Sequence, residues 1–282
     1  HLQKEIRHLL KVDKSYVYLD VTNTYMEMDF AREGTLPQKG VSKDHKTEPI
    51  IQMGLLLDSN GMPLLHECFP GNTSDTLVLQ PMVEQVRKSG MKTGRFIVVA
   101  DKGLNSGKNI DYLCNDGNGY VFSQILKGKK GSRYHARMFD ETLYTYNSDG
   151  SYKWQLFEES FIGSDRDGKK VRRKRKVLIY WSAAQAKAAK MKREEKVRRA
   201  KKALSNNAYT IDHSKYKYIK ADKVDGATGE ILENINDMLS IDMDKVDEDA
   251  RFDGYFCIIT SELDYDEKRI REVYHNLWLI EN

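Results

Sequence analysis

Apolar and polar positions alternate along the first part of the chain in the manner of strands. Tyr16 to Val21, β-branched and aromatic with an acid at position 20, predicts a buried strand. Tyr25 to Phe30 sets Met26, Met28 and Phe30 against Tyr25, Glu27 and Asp29, which predicts a half-buried one. After a polar loop with Gly34, Pro37 and Gly40, Ile50 to Leu57 predicts a third strand, and Ser59-Asn60-Gly61 is a hairpin signal leading into Pro63 to Phe69. Pro70-Gly71-Asn72 breaks the chain. Ser74 or Asp75 then caps a predicted helix with Leu77, Val78, Met82, Val83 and Val86 on its apolar face and Gly90 as its stop. Phe96 to Ala100 is a short continuous apolar run, which predicts a central strand with Asp101 at its C-terminal end. A short helix at Ser106 to Cys114 and a strand at Tyr120 to Gln124 follow.

From Lys127 to about Asp249 the pattern changes to strand-like pieces (Thr142 to Tyr146, Lys153 to Phe157, Val177 to Trp181), an Ala-rich run to Leu204 made of strong helix formers, and an acidic stretch. Regularity returns with a strand at Tyr255 to Thr260 and a helix from Asp264 to Glu281, whose first-turn acids suit the macrodipole. This order predicts an α/β fold with one mixed sheet flanked by helices, interrupted by a long insertion that is partly β and partly helical. The expected division is a first part of the core at 1–125, an inserted module with the basic helix at 126–250, and the final strand and helix at 251–282.

Composition sharpens this picture. The chain has 282 residues, 40% of them hydrophobic, enough to bury a sizeable core, which excludes disorder throughout. Apolar runs such as Ile50 to Leu57 fall short of the roughly 20 residues a membrane span needs, so no membrane partner is expected. Cys68, Cys114 and Cys257 are odd in number and far apart, which argues against a disulfide framework or thiolate zinc site and fits a cytoplasmic protein. His1 in place of Met, and a last residue inside a helical pattern, predict a piece of a longer protein.

The net charge of +4 hides a segregation. Lys169 to Lys202 holds 16 Lys and Arg against Glu194 and Glu195, or +14, and the remainder sums to −10. The Ala-rich helix within it has a thin apolar stripe (Met191, Val197, Ala200, Leu204), so most of its surface faces water or a partner. Two readings fit: a solvated charged surface, or one that neutralises DNA phosphates. Asp222 to Glu272, with 16 acids against 6 bases, reads as acidic surface.

Three acids stand apart. Asp20 and Asp101 each end an apolar strand, a position usually filled by a turn former. Neighbouring strands lie about 4.8 Å apart, so two such side chains on one face could share a metal pair. In the last helix Ile270, Val273, Leu277 and Ile280 form the apolar stripe, with Tyr274, Trp278 and Glu281 along its flank, so Glu281 borders the packing face. Three converging carboxylates need a cation to offset their repulsion, and all-oxygen ligation suits Mg²⁺ or Mn²⁺.

Five segments carry a resemblance: Tyr18-Leu-Asp20-Val-Thr22, Gly40-Val-Ser-Lys-Asp-His-Lys46, Phe69-Pro-Gly-Asn-Thr-Ser-Asp75, Val99-Ala-Asp101-Lys-Gly103 and Tyr274-His-Asn-Leu-Trp278-Leu-Ile-Glu281. Together they resemble the DDE transposases of bacterial insertion sequences, in the "IS-four" group that carries an inserted domain before its glutamate. The resemblance implies an RNase H-like fold, a catalytic and metal-binding triad at Asp20, Asp101 and Glu281, two Mg²⁺ or Mn²⁺ ions, and cut-and-paste chemistry on double-stranded transposon-end DNA by a homodimer. Where that group has an Arg in its last motif, this chain has Leu277.

The residues expected to contact DNA are Lys43, His45, Lys102, Arg172, Arg173, Lys174, Arg175, Lys187, Lys190, Arg193, Arg198 and Tyr274. Asn72, Thr73 and Ser74 are expected to shape a turn, His66 and Cys68 to pack in the core, Trp154 and Trp181 to fill the inserted module, and Trp278 to pack. Two other functions compete with the transposase: an inactive DNA-binding remnant, and a nuclease of the same fold without strand transfer.

Overall fold

The computed structural model describes residues 15–28, 33–40, 48–89, 94–205, 216–221 and 239–280. The expected strand residues Asp29 and Phe30, the helix stop Gly90, and the site residues Lys43, His45 and Glu281 lie outside them. By internal contacts the chain divides into two compact units. The first comprises the described residues of His1–Ile125, Gln155–Ile179 and Cys257–Asn282; the second comprises those of Leu126–Trp154 and Tyr180–Phe256. The segment Gln155–Ile179, which the sequence pattern assigns to the insertion, belongs to the first unit.

The first unit is a mixed sheet built on three antiparallel strands, β1 (Tyr16–Tyr25), β2 (Ile50–Asp58) and β3 (Pro63–Pro70). β1 then pairs in parallel with β4 (Ile97–Ala100), and β4 in parallel with β5 (Gly119–Ser123). The resulting order, β3-β2-β1-β4-β5, is the RNase H-like arrangement that the resemblance implies. Beyond β5 the sheet continues through β11 (Tyr255–Thr260), antiparallel to β5, and the hairpin of β8 (Lys170–Ser182) and β7 (Tyr152–Ser164). All four residues of β4 are buried, as a central strand covered on both faces requires.

Helix α1 (Leu79–Lys88) lays Leu79, Met82, Val83 and Val86 on the sheet. Gly54 on β2 admits it: a Cβ there would stand 2.3 Å from the Met82 sulfur. The expected cap is not used, since Ser74 makes no capping bond and pairs with the Thr76 hydroxyl at 3.0 Å. A 3₁₀ turn at Asp75–Leu77 precedes the helix instead, and Leu77 is exposed. Helix α2 (Gly107–Asn115) is capped by Ser106, which accepts from the Asn109 amide at 3.2 Å.

Other expectations are corrected. β1 runs on past Asp20 to Tyr25, and Met26–Met28 forms no strand. The near-continuous charge of Lys169–Lys176 is largely strand, the first half of β8. His66 and Cys68 do not pack in the core. Both are exposed on β3, which lies at one end of the sheet, and they alternate with the half-buried Leu65, Glu67 and Phe69. A register irregularity opposite Leu56 and Leu57 falls between them and Pro63, so the burial of Leu64 does not extend to His66.

The second unit holds α3 (Ala183–Ser205), a two-stranded antiparallel sheet of β9 (Ile219–Ala221) and β10 (Leu239–Ile241), and α4 (Met243–Ala250). β6 (Thr145–Tyr146) pairs with the first residues of β7. Lys153 is buried there among the rings of Tyr144, Trp181 and Tyr255, its ammonium 2.5 Å from Glu141. Trp154 stacks on Tyr152, and the Trp181 indole donates to the Asp253 carbonyl.

Asp249, at the end of α4, predicts an acid sensitivity. Burial would push its carboxyl up, but hydrogen bonds from Lys127 (2.8 Å), Lys217 and Tyr218 (2.9 Å) outweigh burial and hold it well below the usual range. A depressed folded-state value contributes stability that is present above the unfolded Asp value of about 3.9 and is lost as pH falls from there toward the folded value. Asp249→Asn is therefore expected to lower stability at pH 7 and to flatten its decline between about pH 4 and 2, read by urea unfolding at each pH.

Candidate active site

The parallel pairing of β1 and β4 matches Tyr18 with Val99 and Leu19 with Ala100. Asp20 is the next residue of β1 after Leu19, and Asp101 is the first residue beyond β4 after its partner Ala100. Both are partly exposed, so the two carboxylates meet solvent while Leu19 and Ala100 behind them are fully buried.

Asp101 is held by donors from two other elements. The Ser123 hydroxyl, at the end of β5, donates to Asp101 Oδ1 at 2.5 Å, and Tyr274 donates to the same oxygen at 3.2 Å. Burial opposes ionisation, but the bonds from Ser123, the Lys102 amide and Tyr274, with the Lys102 charge, keep the carboxyl below its usual range. Carboxylate oxygens such as those of Asp101 and Asp20 are hard donors of the kind that Mg²⁺ or Mn²⁺ takes. Among the described residues no three His, Cys, Asp or Glu converge as a metal cluster.

Tyr274 belongs to α5 (Glu267–His275), capped by Asp266. The expected helix from Asp264 to Glu281 stops early: Asn276–Ile280 is a 3₁₀ segment that packs against β1, with Asn276 beside Tyr18. Helical spacing therefore does not carry past His275, and Trp278, expected to pack, is 44% exposed. The segment after Asp101 is tied to β5 by Asn105, which donates to the Ser123 carbonyl at 2.8 Å and the Gln124 side chain at 3.0 Å. Ser123 and Asn105 carry no motif signal; only the parallel alignment of β4 and β5 brings them to Asp101.

The basic residues separate by face. Lys102 is exposed beside Asp101. Along β8, Arg172 and Lys174 point outward with Lys170, whereas Arg173 and Arg175 point inward. Arg173 donates to Asn115 and to the Ser164 carbonyl. Arg175 is 4% exposed, 2.6 Å from Glu159 and over the Phe161 ring. Burial thus removes Arg175 from any external contact. On α3, Lys187, Lys190 and Arg198 are exposed, Arg198 sharing Glu195 with Arg199, while Arg193 is paired with Asp253.

No curated protein matches the sequence. Among solved structures, the piggyBac transposase synaptic complex with hairpin DNA is similar at 10% identity and a TM-score of 0.32. The similarity covers 59% of this chain and 33% of that one, so the chain spans about a third of that protein's length. A family model described as "Transposase DDE domain" matches residues 27–282. Asp20 lies just before the matched residues. By the extent of that match, the chain belongs to the family of transposase DDE domains.

Proposed function

We propose that the chain is the catalytic domain of an insertion-sequence transposase, cutting and joining DNA strands at the element's ends. The observation that carries this reading is that Asp20 and Asp101 directly follow the paired Leu19 and Ala100 of two parallel strands, with Asp101 Oδ1 accepting from two hydroxyls that help keep its charge. Asp20, Asp101 and Glu281 would hold two divalent ions, Mg²⁺ or Mn²⁺. The chemistry such ions supply when bound is activation of water or a 3′-hydroxyl and stabilisation of the departing oxygen.

The chain's own residues do the rest. Ser123 and Tyr274 orient the Asp101 carboxylate. Lys102, exposed next to it, meets a DNA phosphate, as do Arg172 and Lys174 on β8 and Lys187, Lys190 and Arg198 on α3. Lys43 and His45 would add contacts from the stretch before β2. The partner is double-stranded DNA, bound by a homodimer in the bacterial cytoplasm. Among the described residues no helix is long and apolar enough to cross a membrane.

The test is an assay of nicking and strand transfer by the full-length protein on end-sequence DNA with Mn²⁺. Nicked ends that join to a target support the transposase. Cleavage without joining points to a nuclease, and DNA binding with no cleavage to an inactive remnant.

A further inference from the structure

The loop between β3 and α1 carries the Phe69–Asp75 motif, which the carboxylate site leaves unused. We propose that this loop and α2 form a bracket that holds the segment following Asp101, with Asp75 and Asn109 as positioning residues. The inference rests on the transposase reading for its catalytic consequence, though not for the bracket itself.

Asn109 is 1% exposed, in the first turn of α2. Its side-chain amide donates both protons to backbone carbonyls from two different loops: Leu104, three residues past Asp101, at 2.9 Å, and Thr76, in the motif loop, at 3.0 Å. One buried group thus joins the two loops, and its removal takes a donor from both carbonyls at once. Asp75 makes the second link. Its Oδ1 accepts from the buried Gln52 of β2 at 2.7 Å, which anchors the loop to the sheet. Its Oδ2 lies against Gly103, where a Cβ would stand only 3.0 Å away. Asn105 holds the same segment from the opposite side, on β5. Lys102 to Leu104 is therefore fixed between two supports, and the direction of the Asp101 carboxylate and the Lys102 ammonium follows from that.

Asp75 acts here through acceptance of a hydrogen bond, which an amide oxygen can also provide. This separates positioning from chemistry. In the full-length protein, hydrogen–deuterium exchange of residues 101–106, the single-turnover nicking rate and the Kd for end DNA are measured for wild type, Asn109→Leu, Asp75→Ala and Asp75→Asn. The bracket predicts at least about tenfold faster exchange and about tenfold slower nicking in Asn109→Leu and Asp75→Ala, with Kd within about threefold of wild type. Asp75→Asn, still able to accept from Gln52, stays within about threefold on all three.

Unchanged exchange in both disruptive variants overturns the proposal. So does an Asp75→Asn protein as slow as Asp75→Ala, which would make the charge itself part of the chemistry. Gln52→Met, which keeps core bulk and frees Asp75, replaces Asn109→Leu if the latter does not fold, with the same expected result. A wild-type protein that does not nick DNA would defeat the transposase reading, while exchange would still decide the bracket.

Discussion

Asp101→Asn in the full-length protein is expected to slow nicking of end DNA by about 10³-fold, or roughly 4 kcal/mol of barrier, without unfolding the protein. Asparagine is close in size, and its side-chain oxygen can still accept from Ser123 and Tyr274, so the local packing survives. What disappears is the negative charge, and with it the hard anionic donor that a divalent ion needs. Asp20→Asn is expected to behave alike, since Asp20 follows Leu19 on β1 as Asp101 follows its partner Ala100 on β4. Thermal unfolding of both variants within about 2 °C of wild type, together with lost nicking, would assign them to the chemistry. Full activity in either would remove it from the site. Ser123→Ala is expected to cost less, about tenfold, because Tyr274 still donates to the same oxygen.

The second large effect separates two neighbours in the basic run. Arg175→Met is expected to destabilise the protein by about 2–4 kcal/mol while leaving the salt dependence of DNA binding unchanged. The guanidinium is buried, paired with Glu159 and stacked on Phe161, so its loss removes packing and takes a charged donor from the Glu159 carboxylate. The cost stays below that of a fully buried pair because Glu159 is 24% exposed and reaches water. Arg172→Ala and Lys174→Ala, on the outward face, are expected to do the reverse. Each should reduce the slope of log K against log salt by about 0.9 with stability within about 0.5 kcal/mol of wild type. Urea unfolding and salt titrations of DNA binding check both halves. If Arg175→Met lowered the salt slope and Arg172→Ala did not, the assignment of faces would be reversed.

The same contrast explains what is legible in the residues. Asp20 and Asp101 stand out because each closes a continuous apolar run, a signal that needs only local pattern. The strands at Ile50, Pro63, Phe96 and Tyr255 are readable for the same reason, and the hairpin between the first two from its Asn60-Gly61 turn. The basic run reads as one surface because a charge count has no faces. Once it forms β8, alternation sends Arg173 and Arg175 toward the protein and Arg172 and Lys174 away from it. The motif around Tyr274 points to DNA, whereas the fold brings its hydroxyl to Asp101. Turns of 3.6 residues would carry the final helix to Glu281, but the chain tightens to 3₁₀ after His275, where Asn276 meets Tyr18.

By itself, then, the sequence determines most of the element order, the mixed sheet and the two aspartates that close apolar runs, since these follow from the periodicity of burial along a single segment. The tertiary structure alone decides that Ser123 and Tyr274 meet Asp101, that Asn105 reaches β5 and Asn109 the loop before α1, and which arginines face outward. Those are contacts between segments far apart in the chain, set by strand register and helix docking, and no local pattern of residues encodes them.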